Sequence, residues 1–192
     1  MTDDPPTPEH PVTERIPWRP DPGGVDGSVA DPDTFRAVMG RFATGVSVMT
    51  TVVDGEPHGM TANALTSVSL DPLLVLVCVA EGAVMSQQVA ASGVFALTFL
   101  AADQAEASAR FADPSRPAGV AQFAGVPTST AVTGSPLLDG GVAWLDCELW
   151  ATYPGGDHDI VVGRVVAQGV SADASPPALL YYRSGYGVAQ VD

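Results

Sequence analysis

Between His58 and Val79 the chain reads HGMTANALTSVSLDPLLVLVCV, and its first half gathers Gly59, Thr61, Ala62, Asn63, Ala64, Thr66, Ser67 and Ser69. Hydroxyls and one amide supply hydrogen-bonding groups without charge, and small residues let a backbone approach a neighbour closely. Met60, Leu65, Val68 and Leu70 thread the same stretch, which sets it apart from an ordinary surface loop. The hydroxyls set it apart from an ordinary buried strand. The mixture suits main chain laid against a flat ligand with polar edges. A second candidate for chemistry is His158, which follows a Gly-Gly turn and stands between Asp157 and Asp159. Adjacent carboxylates favour a charged imidazole, a group suited to meeting an anion or polarising an amide. The same position also suits a turn histidine that satisfies local backbone groups. Tyr181, Tyr182 and Tyr186 cluster beside Arg183 near the C-terminus, either to stack on a planar ring or to pack in a core or interface. Arg164 and Arg183 are each suited to a phosphate or to a surface ion pair.

Several chemistries are excluded. There is no G-x-G-x-x-G, no G-x-x-x-x-G-K-[ST] and no G-x-S-x-G, so the dinucleotide fingerprint, the phosphate loop and the nucleophile elbow are absent. The histidines are His10, His58 and His158, with only Cys78 and Cys147 beside them, and their scatter predicts no metal site.

The 192 residues suffice for one domain with a sizeable core. Acidic residues outnumber basic ones 22 to 8, no lysine occurs, and the net charge is −14. That charge argues against nucleic acid or an anionic membrane as partner. The chain is 46% hydrophobic and 16% charged, a shortage of charged surface that predicts a large buried interface and an oligomer. Two thiols in apolar runs indicate a reducing compartment without a disulfide framework. With no signal-peptide pattern and no apolar run of membrane-spanning length, a soluble cytoplasmic protein is expected.

The elements that must position these groups are mostly strands. Residues 1–30 hold seven prolines and few apolar anchors, an acidic tail in which Trp18 suits an arm across a dimer surface. The domain, residues 31–192, opens with Asp31-Pro32-Asp33, a capped helix start. Strands are expected at Val46–Val53, His58–Ala64, Leu73–Val79, Val94–Leu100, Val142–Tyr153, His158–Val170 and Ala178–Tyr182. Asp54-Gly55 marks a hairpin turn. The unbroken apolar run of Leu73–Val79 reads as a central strand. Short helices are expected at Val84–Ala91 and Asp103–Phe111, and a long loop at Ala112–Asp139. Many strands with few short helices predict a mainly β fold, a closed or nearly closed antiparallel barrel.

With these residues in hand, the domain resembles the flavin reductase family, the small partner enzymes of two-component flavin-dependent monooxygenases. Six stretches carry the likeness in order: FRAVMGRFATGVSVMTT (Phe35–Thr51), HGMTANALTSVSLDPLLVLVC (His58–Cys78), ASGVFALTFLAADQ (Ala91–Gln104), ARFAD (Ala109–Asp113), GGDHDIVVGRV (Gly155–Val165) and LLYYRSGYG (Leu179–Gly187). The resemblance implies an antiparallel split β-barrel, a homodimer, FMN or FAD near the dimer interface, and NADH or NADPH as hydride donor. It implies a flavin lying along His58, Gly59, Met60, Thr61, Asn63 and Ala64, with Ser67 close by and with Thr61 and Asn63 on its polar edge. Cys78, Val79 and Ala80 would flank it, Met85 and Ser86 would lie near its phosphate, and Tyr186 near the ring. His158 would meet the nicotinamide dinucleotide as a binding and orienting group. The implied activity is NAD(P)H-dependent reduction of free flavin, delivered to a separate monooxygenase.

The chain departs from the family after Val79, where a basic residue near the phosphate is common and Glu81-Gly82-Ala83-Val84 stands instead. The phosphate must then rely on hydroxyls, a helix N-terminus or an arginine from elsewhere. Flavin is accordingly expected to exchange as a substrate. The competing readings are a split-barrel flavoprotein that keeps FMN and acts on another substrate, and a non-catalytic flavin-binding barrel.

Overall fold

The computed structural model describes residues 30–171 and 176–189; the expected tail, with His10 and Trp18, lies outside them. In chain order the elements are α1 (Pro32–Met39), β1 (Thr44–Gly45), β2 (Ser47–Val53), β3 (Glu56–Ala62), β4 (Leu65–Leu70), β5 (Leu73–Ala80), α2 (Val84–Ser92), β6 (Val94–Phe99) and α3 (Ala105–Ala112). There follow β7 (Thr128–Thr130), β8 (Pro136–Leu138), β9 (Ala143–Pro154), β10 (His158–Val170), β11 (Leu179–Tyr182) and β12 (Gly185–Val188).

Local chemistry explains the punctuation. The Asp31 carboxylate accepts from the amides of Asp33 and Thr34, both at 3.0 Å, and caps α1. Asp54 and Gly55 both hold positive φ, 52° and 83°, the conformation a tight hairpin demands between β2 and β3.

The main sheet is antiparallel and seven-stranded, in the order β3-β2-β6-β9-β10-β5-β4. Its two outer strands, β3 and β4, are consecutive in sequence, joined only by Asn63 and Ala64. Three Cα–Cα steps of about 3.8 Å cannot span a flat sheet of that width. The sheet therefore curls until its edges meet without pairing, which is a split barrel. Register shifts between β9 and β10, at Val162/Gly163 and Val165/Ala167, add the local bends. At Gly163 a Cβ would stand 2.3 Å from the Phe95 ring, so the missing side chain is what lets that ring fill the barrel.

Met49, Val75, Val77, Val79, Met85, Val89, Phe95, Leu97, Cys147 and Val161 form the barrel core, closed at one side by α2. A second cluster, including Val48, Leu100, Phe111, Phe123 and Leu138, ties α3 and the following loop to the sheet. A three-stranded sheet, β1-β11-β12, and the β7-β8 hairpin complete the fold.

Four local expectations change. Leu73–Val79 is not central but next to the edge, and only alternate residues, Val75, Val77 and Val79, are buried. On its other face Leu74, Leu76 and Cys78 are only half-buried, so within one chain the unbroken apolar run serves one core rather than two. The hydroxyl-rich Leu65–Leu70 is itself a strand. Asp103 lies in a 3₁₀ turn, Ala102–Gln104, and α3 starts only at Ala105. The long loop contains both the hairpin and a 3₁₀ turn, Gly119–Phe123, that buries Gln122 and Phe123. Both cysteines are free; Cys147 is buried, with its thiol pushed up to about 12 by desolvation and by Asp146, whereas Cys78 is only half-buried.

Candidate active site: the barrel split and the groove beside it

The link Asn63–Ala64 crosses the split, and Cys78 donates its amide to the Ala64 carbonyl at 2.9 Å, holding the link against β5. Asn63, Ala64, Thr66 and Ser67 are exposed there. Asn63 donates from Nδ2 to Thr44 Oγ1 at 3.2 Å and borders a cavity of about 260 Å³ with Phe42, Thr44 and Leu65.

On β3, side chains alternate between two environments. Gly59 and Thr61 face α3. Thr61 donates to the Ser108 carbonyl at 2.6 Å, and the Ser108 hydroxyl meets the Tyr186 hydroxyl at 2.8 Å, so Thr61 and Tyr186 converge although far apart in sequence. Tyr186 also sits edge-on to Tyr181, with ring centroids 5.9 Å apart. Gly59 has a different task from the one its sequence context suggests. A Cβ there would fall 2.6 Å from Phe111, so the vacancy is filled by that ring rather than left for a ligand.

His58, Met60 and Thr61 border a larger groove of about 760 Å³, closed by Ala83, Val84, Met85 and Gln88 of the α2 start and by the loop from Pro114 to Gly119. That loop brings Arg116, which donates from Nε and Nη2 to the Gly59 carbonyl at 3.1 and 2.8 Å. Its Nη2 also faces His58 Nε2 at 3.4 Å. Burial, assisted by the Arg116 charge, holds the His58 imidazole below its ordinary value and favours the neutral ring. Arg116 itself is lowered by burial, an effect opposed by Asp113. Sequence reading left the supporting arginine unnamed, because nothing in a Pro-rich loop announces which residue will fold back onto β3.

The remaining candidates gather at the C-terminal end of β5, the same end that the Asn63–Ala64 link meets. His158 opens β10 opposite Ala80. Its Nδ1 lies 2.8 Å from Asp157 Oδ1, and this contact is the first cause of the lowered Asp157 carboxyl. Ser86 donates to Asp159 Oδ2 at 2.5 Å, so its hydroxyl is already engaged. His158 is half-exposed and borders neither cavity. Val79 and Met85 are 1% exposed and belong to the core; Val79 can offer a ligand only its backbone, while Met85 floors the groove. Arg164 is ion-paired with Glu148, which removes it from the free phosphate-binding groups. No three His, Cys, Asp or Glu side chains converge as metal ligands among the described residues.

These groups fit a flavin. Ala83, the residue that precedes α2, offers no capping side chain, which leaves first-turn amides for an anion. Beside it lie neutral hydroxyls and an amide suited to the edges of a ring, reached across the split.

The comparisons agree with that chemistry. Residues 39–190 match the flavin reductase like domain. An NADH-dependent FAD reductase of Streptomyces globisporus is 50% identical over 133 residues, covering 69% of this chain and 72% of that one. The reductase subunit HsaB of a flavin-dependent monooxygenase from Mycobacterium tuberculosis is 37% identical over 158 residues, 81% of each chain. Among solved structures, BorF, the flavin reductase component of a bacterial two-component tryptophan halogenase, superimposes with a TM-score of 0.78 at 39% identity, covering 84% of this chain and all of that one. The S. globisporus NADH:FAD oxidoreductase SgcE6, solved with NAD and FAD fragments, also gives 0.78, at 39% identity over 86% of this chain and 99% of its own. The chain belongs to the flavin reductase family.

Proposed function

We infer that this protein is an NAD(P)H:flavin oxidoreductase that reduces free flavin for a separate flavin-dependent monooxygenase. The observation that carries the reading is the neutral polar wall at the barrel split, set beside an uncapped helix N-terminus. Flavin bound there accepts a hydride from the reduced nicotinamide, chemistry that asks the protein mainly to align two rings and exclude water. Thr61 and Asn63 orient the flavin edge, the first-turn amides of α2 hold its phosphate, and Tyr186 closes over the ring side. His158 orients the nicotinamide dinucleotide as a binding group. Pairing of Arg164 with Glu148 supports NADH over NADPH, since Arg164 is then not available to a 2′-phosphate.

The reading includes a homodimer in the cytoplasm. Phe35, Val38, Met39 and Phe42 of the α1 region and Val68, Leu70 and Leu73 around β4 are all exposed in one chain, and α1 buries no residue. Apolar surface of that extent fits a second copy, which would also cover the outer face of β5.

The test is NADH oxidation by the purified protein with and without added FMN or FAD. Turnover that requires and saturates with free flavin supports the reading; a protein that keeps stoichiometric flavin through dialysis refutes exchange. His158→Ala is expected to raise KM for NADH about tenfold, the scale of a lost charge-assisted hydrogen bond, with flavin KM kept. Unchanged kinetics would return His158 to a turn residue.

A further inference from the structure

Ser108, midway along α3, is fully buried, and a hydroxyl in that position needs a partner. The partner is the Tyr186 hydroxyl, at 2.8 Å. The main-chain carbonyl of the same serine also accepts the Thr61 hydroxyl, at 2.6 Å. One residue of a short helix thus holds a group from β3, 47 positions before it, and a group from β12, 78 positions after it.

The Tyr186 end of this contact faces the opposite way. The residue is 46% exposed, and an aromatic side chain so open to solvent keeps its rotamer freedom unless something restrains it. Two restraints act here: the bond to Ser108 and the edge-on contact with Tyr181, whose ring centroid is 5.9 Å away. Tyr181 is itself the register partner of Thr44 on β1, and Thr44 Oγ1 accepts from Asn63 Nδ2 at 3.2 Å. Asn63 stands two residues after Thr61. The contacts therefore close a circuit through Thr61, Ser108, Tyr186, Tyr181, Thr44 and Asn63. Side chains tie the three-stranded sheet to the barrel at both residues assigned to the flavin edge. An exposed ring held in one orientation is ready to meet a planar ligand without first being ordered.

We propose that Ser108 is a positioning residue for flavin: its hydroxyl fixes the Tyr186 ring and its carbonyl fixes the Thr61 side chain, so that both are set before the ligand arrives. This role rests on the flavin reductase reading and deepens it, by naming the buried group that presets the site. Ser108 touches no ligand itself, since none of its surface is open. Presetting lowers the ordering cost of binding and leaves the hydride step alone, so its signature belongs to flavin affinity.

The experiment is a double-mutant cycle on the full-length protein, with Ser108→Ala, Tyr186→Phe and the two combined. Oxidised FMN is titrated by its fluorescence, and steady-state kinetics and thermal midpoints are measured on the same samples. Each single variant removes the same hydroxyl contact, so each is expected to weaken FMN about three- to tenfold, the scale of one hydrogen bond. The combined variant should lose no more than the worse single one. The loss should appear in KM for FMN more than in kcat or in KM for NADH. Tyr186→Phe keeps its ring at a half-exposed site, so it tests the proposal even where Ser108→Ala fails to fold. A serine that only packs α3 would lower the thermal midpoint and leave FMN affinity unmoved. That result overturns the proposal, as do unchanged affinity in Tyr186→Phe and losses that simply add. Absence of FMN binding to wild type overturns it together with the reductase reading. Coupled losses of FMN affinity in a protein that never oxidises NADH with added flavin would sink the reductase reading and leave the role of Ser108 standing.

Discussion

At the residue scale, Gly59 and His58 are neighbours with opposite loyalties. Gly59 belongs to packing: with Phe111 fully buried and its ring atoms 2.6 and 2.7 Å from any added Cβ, Gly59→Ala should cost about 1–3 kcal/mol by overpacking. Urea denaturation reads this directly, and an unchanged midpoint would mean that the Phe111 ring yields freely. His58 belongs to the groove, and its pKa lies below the ordinary 6.5, first through burial and then through Arg116. The unfolded chain therefore takes up a proton at His58 before the folded one does as pH falls. The stabilisation is complete above 6.5 and is lost as pH drops through the folded-state pKa. His58→Gln should flatten the fall in stability as pH drops below 6.5, measured by urea midpoints. Asp31, Asp113 and Asp157, all lowered from 3.8, act only in more acidic solution and leave that window clear.

At the scale of elements, the start of α2 is the informative end. Ala83 occupies a position where Ser, Thr, Asp or Asn would cap the helix, and its side chain makes no such bond. An uncapped end is a stability defect that makes sense where an anion is to be bound. Ala83→Asp should raise stability by about 0.5–1 kcal/mol, and should raise KM for FMN because the new carboxylate occupies the amides and repels phosphate. Thermal melts and steady-state kinetics on the same samples check both halves; tighter flavin binding would remove the α2 amides from the site. The contrast with α1 is instructive. Asp31 caps α1 well, Arg36 pairs with Asp33 within it and the Arg183 amide meets the Gly40 carbonyl at its end, yet no residue of that helix is buried, so one chain holds the element without packing it.

For the whole molecule, those unpacked apolar residues are the main debt of the isolated chain. Phe42 is 68% exposed and borders the smaller cavity with Asn63. In a monomer, Phe42→Asp at so exposed a site would be nearly neutral. Across a dimer face it should dissociate the protein in sedimentation velocity and raise flavin KM severalfold, since the cavity edge is shared. A monomeric wild type would overturn the dimer. The net charge of −14 repels dinucleotides at long range, so attraction has to come from local groups.

Much of the fold was legible because its signals are local. Asp31-Pro32 marks a capped start, Asp54-Gly55 a tight turn, and alternating Val75, Val77 and Val79 one face of a strand. The ordered likeness from Phe35 to Gly187 carried the family and the flavin chemistry as well. Hydroxyl content concealed β4, whose strand character comes from pairing with β5 rather than from its own propensity. An aspartate is ordinarily exposed, yet Asp146 of β9 is fully buried, accepting from the amides of Val132 and Thr133 at 2.7 and 2.8 Å. Sequence by itself determined six of the seven strands of the main sheet, the Asp54-Gly55 turn and the polar segment His58–Ser67. Only tertiary structure decided that Gly59 serves Phe111, that Arg116 returns to β3 and that Gln88 Oε1 is buried without a hydrogen-bond partner among the described residues. Those three facts depend on contacts between residues distant along the chain, and the long-range packing that creates them has no period or motif to announce it.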